Sequence, residues 1–98
     1  MKNVILSANS TPAVYSVPDI VADNLLIFCF DFLDWLRTDP DAEKYRMYED
    51  GVINTCFGER DFIGYLNTWV YPDTPSQLIE TLENGIPEKY ENCGRYNF

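Results

Sequence analysis

Histidine is absent from the chain. Its absence removes the side chain most used for proton transfer near neutral pH and the commonest nitrogen ligand of metals, and so rules out Ser-His-Asp and Cys-His catalysis. Basic residues are also scarce, seven against 16 acids, which leaves a formal charge of -9 on 98 residues. A field of that sign repels nucleic-acid phosphates and anionic lipid, and favours basic protein patches, cationic peptides or divalent cations. Cysteine is limited to Cys29, Cys56 and Cys93, an odd number at wide spacing. That pattern argues against a complete disulfide framework and suits a reducing cytoplasm. The longest unbroken apolar run, Leu25 to Phe30, is six residues and cannot span a bilayer. The N-terminal "MKNVILSANSTPAVYS" carries one lysine and too few apolar residues for an export signal. The expectation is a cytoplasmic protein with no cofactor, no nucleic-acid partner and no membrane partner.

What the chain does hold is apolar surface: 46% hydrophobic and 15% aromatic residues, enough to offset the entropy lost on folding. Its length suits a single domain, 1–98, with one core. "NVILS" and "PAVYSV" are short β-rich runs on either side of "ANSTP", fit to form two strands or one strand after a ragged end. In "SVPD", Ser16 as N-cap, Pro18 in the first turn and Asp19 three residues after Ser16 predict a helix start. From Asp19 to Arg37 there is neither Gly nor Pro, and Asp19, Asp23, Asp31 and Asp34 recur on one helical face. The rest of that helix is apolar almost all round, which predicts a central element covered on several sides by the chain or by a second copy. Pro40 ends it. Asp50-Gly51 between two apolar runs predicts a β-hairpin. A second helix is predicted from Glu59 to Val70, and a third from Thr74 as cap, Pro75 as first helical residue and Gly85 as stop, with "IPEKYENCGRYNF" an irregular tail. The fold class expected is α+β: one long central apolar helix, a small antiparallel sheet and two shorter helices.

Carboxylates and aromatics supply the candidate chemistry. Asp31 and Asp34, at i and i+3, could share a divalent cation or face a basic partner; the plainer reading is a solvated face that keeps a greasy helix soluble. "DPDAE" lacks the glycine and glutamate spacing of a calcium loop and reads as a turn. Cys29 and Cys56 are expected to be packed and inert, with Cys93 the exposed thiol. Tyr45, Tyr48, Tyr65, Tyr71, Tyr90, Tyr96 and Phe98 are more rings than a small core needs, and tyrosine is enriched at interfaces. The expected interaction surface is therefore Asp23, Asp31, Asp34, Tyr65, Tyr71, Tyr90 and Tyr96, with no catalytic, cofactor-binding or metal-binding residue assigned.

The segments "VYSVPDIVADNLLIFCFDFLDWL", "DFIGYLNTWVYPDTPSQLIETL" and "IPEKYENCGRYNF" resemble a family of short acidic proteins of Gram-positive gut bacteria whose function is unknown. The resemblance runs from Val14 to the C-terminus. It implies a bacterial, cytoplasmic protein and carries over no activity or site residue. The function expected is a non-enzymatic interaction or regulatory module that binds another protein or itself. Two alternatives stand beside it: a carboxylate-based divalent-metal domain or enzyme, and an inhibitor that mimics nucleic acid.

Overall fold

The structure, a computed structural model, describes residues 1–98 and has an α+β architecture. The two β-rich runs near the N-terminus form β1 (Lys2–Ser7) and β2 (Ala13–Val17), paired antiparallel with Val4 opposite Tyr15. They are the central strands of a four-stranded sheet, with residues 77–81 on the β2 side and residues 94–97 on the β1 side. The pleat sends Val4, Leu6, Ala13, Tyr15 and Val17 into the main core beneath the helices. Ile5 and Val14 point the other way, to a smaller cluster with Leu82 and Tyr90. Burial on both faces is why these strands read as continuous apolar runs without polar alternation.

The first helix begins at Asp19 as expected, but Ser16 does not cap it. Ser16 lies in β2 opposite Asn3, and Pro18 holds the N-cap position without a side-chain hydrogen bond. Instead of one long helix there are two, α1 (Asp19–Asp23) and α2 (Leu25–Thr38). Asn24 breaks them apart: its backbone leaves the helical region (φ −132°, ψ 39°), and its side-chain amide donates to the Ile20 carbonyl at 2.9 Å. A short amide that bonds a nearby carbonyl competes with the helical ladder, a signal that the absence of Gly and Pro does not reveal. Nor is α2 covered all round. Leu25, Cys29, Phe32 and Leu36, at spacings of four, three and four, face the core, while Leu26, Ile27 and Phe30 lie on the opposite side in solvent.

Pro40 ends α2 by holding Asp39 extended (ψ 134°). The Asp39 carboxylate accepts from the Asp41 N–H at 2.9 Å and caps a 3-10 turn, Pro40–Tyr45. The predicted hairpin follows as β3 (Arg46–Glu49) and β4 (Val52–Thr55). Asp50 and Gly51 both take positive φ, 51° and 79°, as a two-residue turn that matches strand twist requires. At its base the Arg46 guanidinium donates to the Asp39 carbonyl at 2.7 Å.

The second predicted helix is α3 (Glu59–Tyr65), continued by a widened π turn, Leu66–Val70. The Asp61 carboxylate accepts from the Gly58 N–H at 2.8 Å and secures its start.

The third predicted helix is a strand, β5 (Gln77–Thr81), at the sheet edge beside β2. The cap-like Thr74 and Pro75 instead belong to a loop held by Asn67, whose side chain accepts from the Ser76 N–H at 2.7 Å and donates to its carbonyl at 3.1 Å. Pairing with β2 overrides a weak local helix signal. The tail is ordered too. A 3-10 turn, Glu88–Tyr90, leads to β6 (Gly94–Asn97), which pairs parallel with β1, so the sheet is mixed and not purely antiparallel. Asn97 locks this end: its side-chain Oδ1 accepts from Ser7 Oγ at 2.9 Å and from the Asn9 N–H at 2.8 Å, and its side-chain Nδ2 donates to Asn9 Oδ1 at 3.0 Å.

Candidate functional site

Three surface features have the composition of binding surfaces. The first is the outer side of α2, where Leu26, Ile27 and Phe30 are 54%, 59% and 54% exposed. Exposed acids border it. Asp23 pairs with Lys2 Nζ at 2.7 Å, and Asp19 with the N-terminal ammonium at 2.9 Å; Asp31 and Asp34 make no ion pair. The four predicted acids therefore do lie in solvent, but the break at Asn24 separates an already paired couple from a free one.

The second is the hairpin. Every residue from Met47 to Asn54 is exposed, among them Met47, Tyr48, Val52 and Ile53. Tyr48 faces Ile53 across the ladder, a packed cross-strand pair with water beyond it. A two-stranded ribbon standing alone is only marginally stable, so apolar residues on both of its faces are unusual without a cover.

The third was not expected from the sequence: an aromatic recess of about 250 Å³ where α2, the Pro40–Tyr45 turn and α3 meet. Its walls are Trp35, Tyr45, Tyr65 and Trp69. Trp35 is at the centre. Its ring is 6.1 Å from Tyr45, 5.1 Å from Tyr65 and 6.4 Å from Trp69, centroid to centroid, with interplanar angles of 55°, 50° and 45°. These are the distances and tilts of rings packed directly on one another, and the recess lies beside this group. Trp35 is itself held by near-parallel stacking on buried Phe32, 6.2 Å away. Tyr65 and Trp69 are four residues apart, and the π turn carries Trp69 outward to an exposure of 53%. Asp41, Lys44, Gly64 and Thr68 complete the lining, and the Lys44 ammonium lies 5.0 Å from the Tyr45 ring centroid. Burial, followed by the charges of Asp31 and Asp39, raises the Tyr65 hydroxyl above its usual pKa, so the recess lies in a negative field.

The structure scatters the other predicted tyrosines. Tyr71 is half-buried against Phe28, with ring centroids 6.1 Å apart. Tyr96 is half-buried between Phe98 (4.7 Å) and exposed Phe30 (6.3 Å). Tyr90 is not at the surface: it is buried under the sheet, and its hydroxyl donates to Glu80, an acid also held by Lys89 at 3.5 Å. That hydrogen bond keeps the Glu80 carboxyl below its usual range. Phe98 is half-buried against the main core, in contact with Phe32, Phe57 and Phe62. The surplus of rings is thus spent largely on one aromatic cluster.

The cysteines change places. Cys29 is buried, as predicted, and burial pushes its thiol up to about 12. Cys56 is exposed, because the strand ends at Thr55, and Cys93 is half-buried under the small cluster. No three Cys, Asp or Glu side chains converge closely enough to hold a metal ion, and no helix is long and apolar enough to cross a membrane. Comparison with family models, with curated proteins and with solved structures finds no match.

Proposed function

We propose that this protein is a non-enzymatic binding module whose partner is a basic, amphipathic segment of another protein, seated on the outer face of α2. One observation carries the reading: Leu26, Ile27 and Phe30 form an apolar strip in solvent on a helix whose other side is fully packed. Charge selects among occupants. Asp31 and Asp34 flank the strip unpaired, and a second copy of the chain would bring a further charge of -9, whereas a basic segment would neutralise the rim. The half-buried edge of Tyr96 beside Phe30 extends the same surface with a ring and a hydroxyl.

The test is capture from a lysate by the wild-type chain and by the triple variant Leu26→Ser/Ile27→Ser/Phe30→Ser, washed at low and high salt. A basic protein held by the wild type alone, and released as salt rises, is the expected result. Equal capture by both chains, or recovery of nothing but further copies of this chain, would overturn the reading.

A further inference from the structure

We propose that the aromatic recess binds a quaternary ammonium group, a trimethylated nitrogen carried by a small molecule or by a modified lysine side chain. The rings suit it. Trp35, Tyr45, Tyr65 and Trp69 supply four of the eight residues that line the recess, and an alkylated cation is attracted to the faces of aromatic rings within about 6 Å of their centroids. The hollow, about 250 Å³, is open at the exposed Trp69.

Charge and hydrogen bonding narrow the ligand class. Asp41 lies on the rim, and Asp31 and Asp39 are close enough to act on Tyr65, so an anion is disfavoured. A primary ammonium brings three N–H donors that need acceptors, which ring faces supply poorly; a trimethylated nitrogen has no N–H to satisfy and gains from ring contact alone. The chain's own Lys44 illustrates the attraction, with its ammonium 5.0 Å from the Tyr45 centroid at the outer edge. Lys44 is exposed, and its flexible stem lets it move aside, so it acts as a resident competitor of the ligand. Gly64 also lines the recess, and a Cβ built on it meets nothing within 4 Å. A larger side chain there would take up ligand space without straining the helix backbone.

The experiment follows the indole N–H signals of Trp35 and Trp69 in the full chain by two-dimensional NMR. Choline chloride is titrated against sodium chloride of equal ionic strength, and a peptide containing trimethyllysine forms a second arm. Both indoles should shift saturably with choline and not with sodium. Trp69→Ala and Gly64→Val should each weaken the response of Trp35 about tenfold or more, and Lys44→Met should strengthen it. A peptide that binds more tightly than choline assigns the site to a modified protein tail; equal affinity assigns it to a free small cation. Melting curves identify any variant that fails to fold, and Gly64→Val, made at an open position, keeps the test decisive if Trp69→Ala does fail. A linear, salt-like response, or wild-type affinity in the folded Gly64→Val and Trp69→Ala variants, would overturn the proposal. The triple variant on the outer face of α2 should titrate like the wild type, which separates this site from the protein-binding surface.

Discussion

Along α2, Leu25, Cys29, Phe32 and Leu36 are closed off from water, while Leu26, Ile27 and Phe30, drawn from the same residue types, stand more than half exposed. The inner row shares a core with Val4, Leu6 and Tyr15 of the sheet, with Phe62 of α3 and with Leu66 of the π turn. The outer row has only the edge of Tyr96 beside Phe30. Apolar residues occupy both sides although the charged Asp31, Asp34 and Arg37 are all exposed, and what separates the two apolar rows is which side the other elements reach. An inner apolar residue contributes stability through transfer and packing; an outer one leaves its free energy of burial to be gained by a partner.

The contrast is broken most sharply at Phe32. Its ring touches Trp35, Phe57, Phe62, Tyr65 and Phe98, so Phe32→Ala should cost about 3–5 kcal/mol in chemical denaturation, while Phe30→Ala costs under about 1 kcal/mol. Alkaline pH should attack the inner side. Burial pushes Cys29 up to about 12 and raises Tyr15 and Tyr65 above their usual 10, whereas the unfolded thiol ionises near 9. Each folded value is raised, so the stability these groups contribute is complete below about pH 9 and is lost as pH climbs through the folded values. Melting temperatures measured from pH 8 to 11 should fall steadily, and a thiol reagent at pH 8 should label Cys56 first, Cys93 later and Cys29 only on unfolding.

Smaller effects test the hairpin. Gly51→Ala places a Cβ at φ 79° and should weaken the ribbon by about 1 kcal/mol. Faster amide exchange at Met47 and Asn54, the hydrogen-bonded pair next to Tyr48 and Ile53, with the global melting temperature little changed, would show that the arm is energetically separate from the core. The smallest expected change belongs to the surface acids. Asp19 is held low by the N-terminal ammonium and Glu80 by the Tyr90 hydroxyl. Depressed values contribute stability above the unfolded carboxylate range and lose it as pH falls through the folded values, so a shallow decline below about pH 4.5 is expected in acid melts.

Where local chemistry was decisive, the sequence was enough. The Asp50-Gly51 turn, the stop at Pro40, the start at Asp19 and the strand runs at Val4 and Val14 all depend on dihedral limits or on nearest-neighbour pattern, and all are found in place. The break at Asn24 was present in the sequence as a residue that bonds its own backbone, but the apolar periodicity on either side concealed it.

Other features required the whole fold. Gln77–Thr81 is a strand because β2 offers it an edge, and Gly94–Asn97 is ordered because β1 pairs with it from 90 residues away in the chain. The aromatic recess was invisible for the same reason. Trp35, Tyr45, Tyr65 and Trp69 carry no spacing signature; two of them read simply as apolar positions on separate helices, and only the meeting of α2 with α3 gathers them beside one hollow. Net charge, the absence of histidine and the α+β class were determined by the amino-acid sequence alone, because each depends on residues counted or on short-range pattern. Which apolar side of α2 is covered, which tyrosines are buried and where four rings converge were decided by tertiary structure, because burial belongs to pairs of surfaces and no single segment specifies its partner.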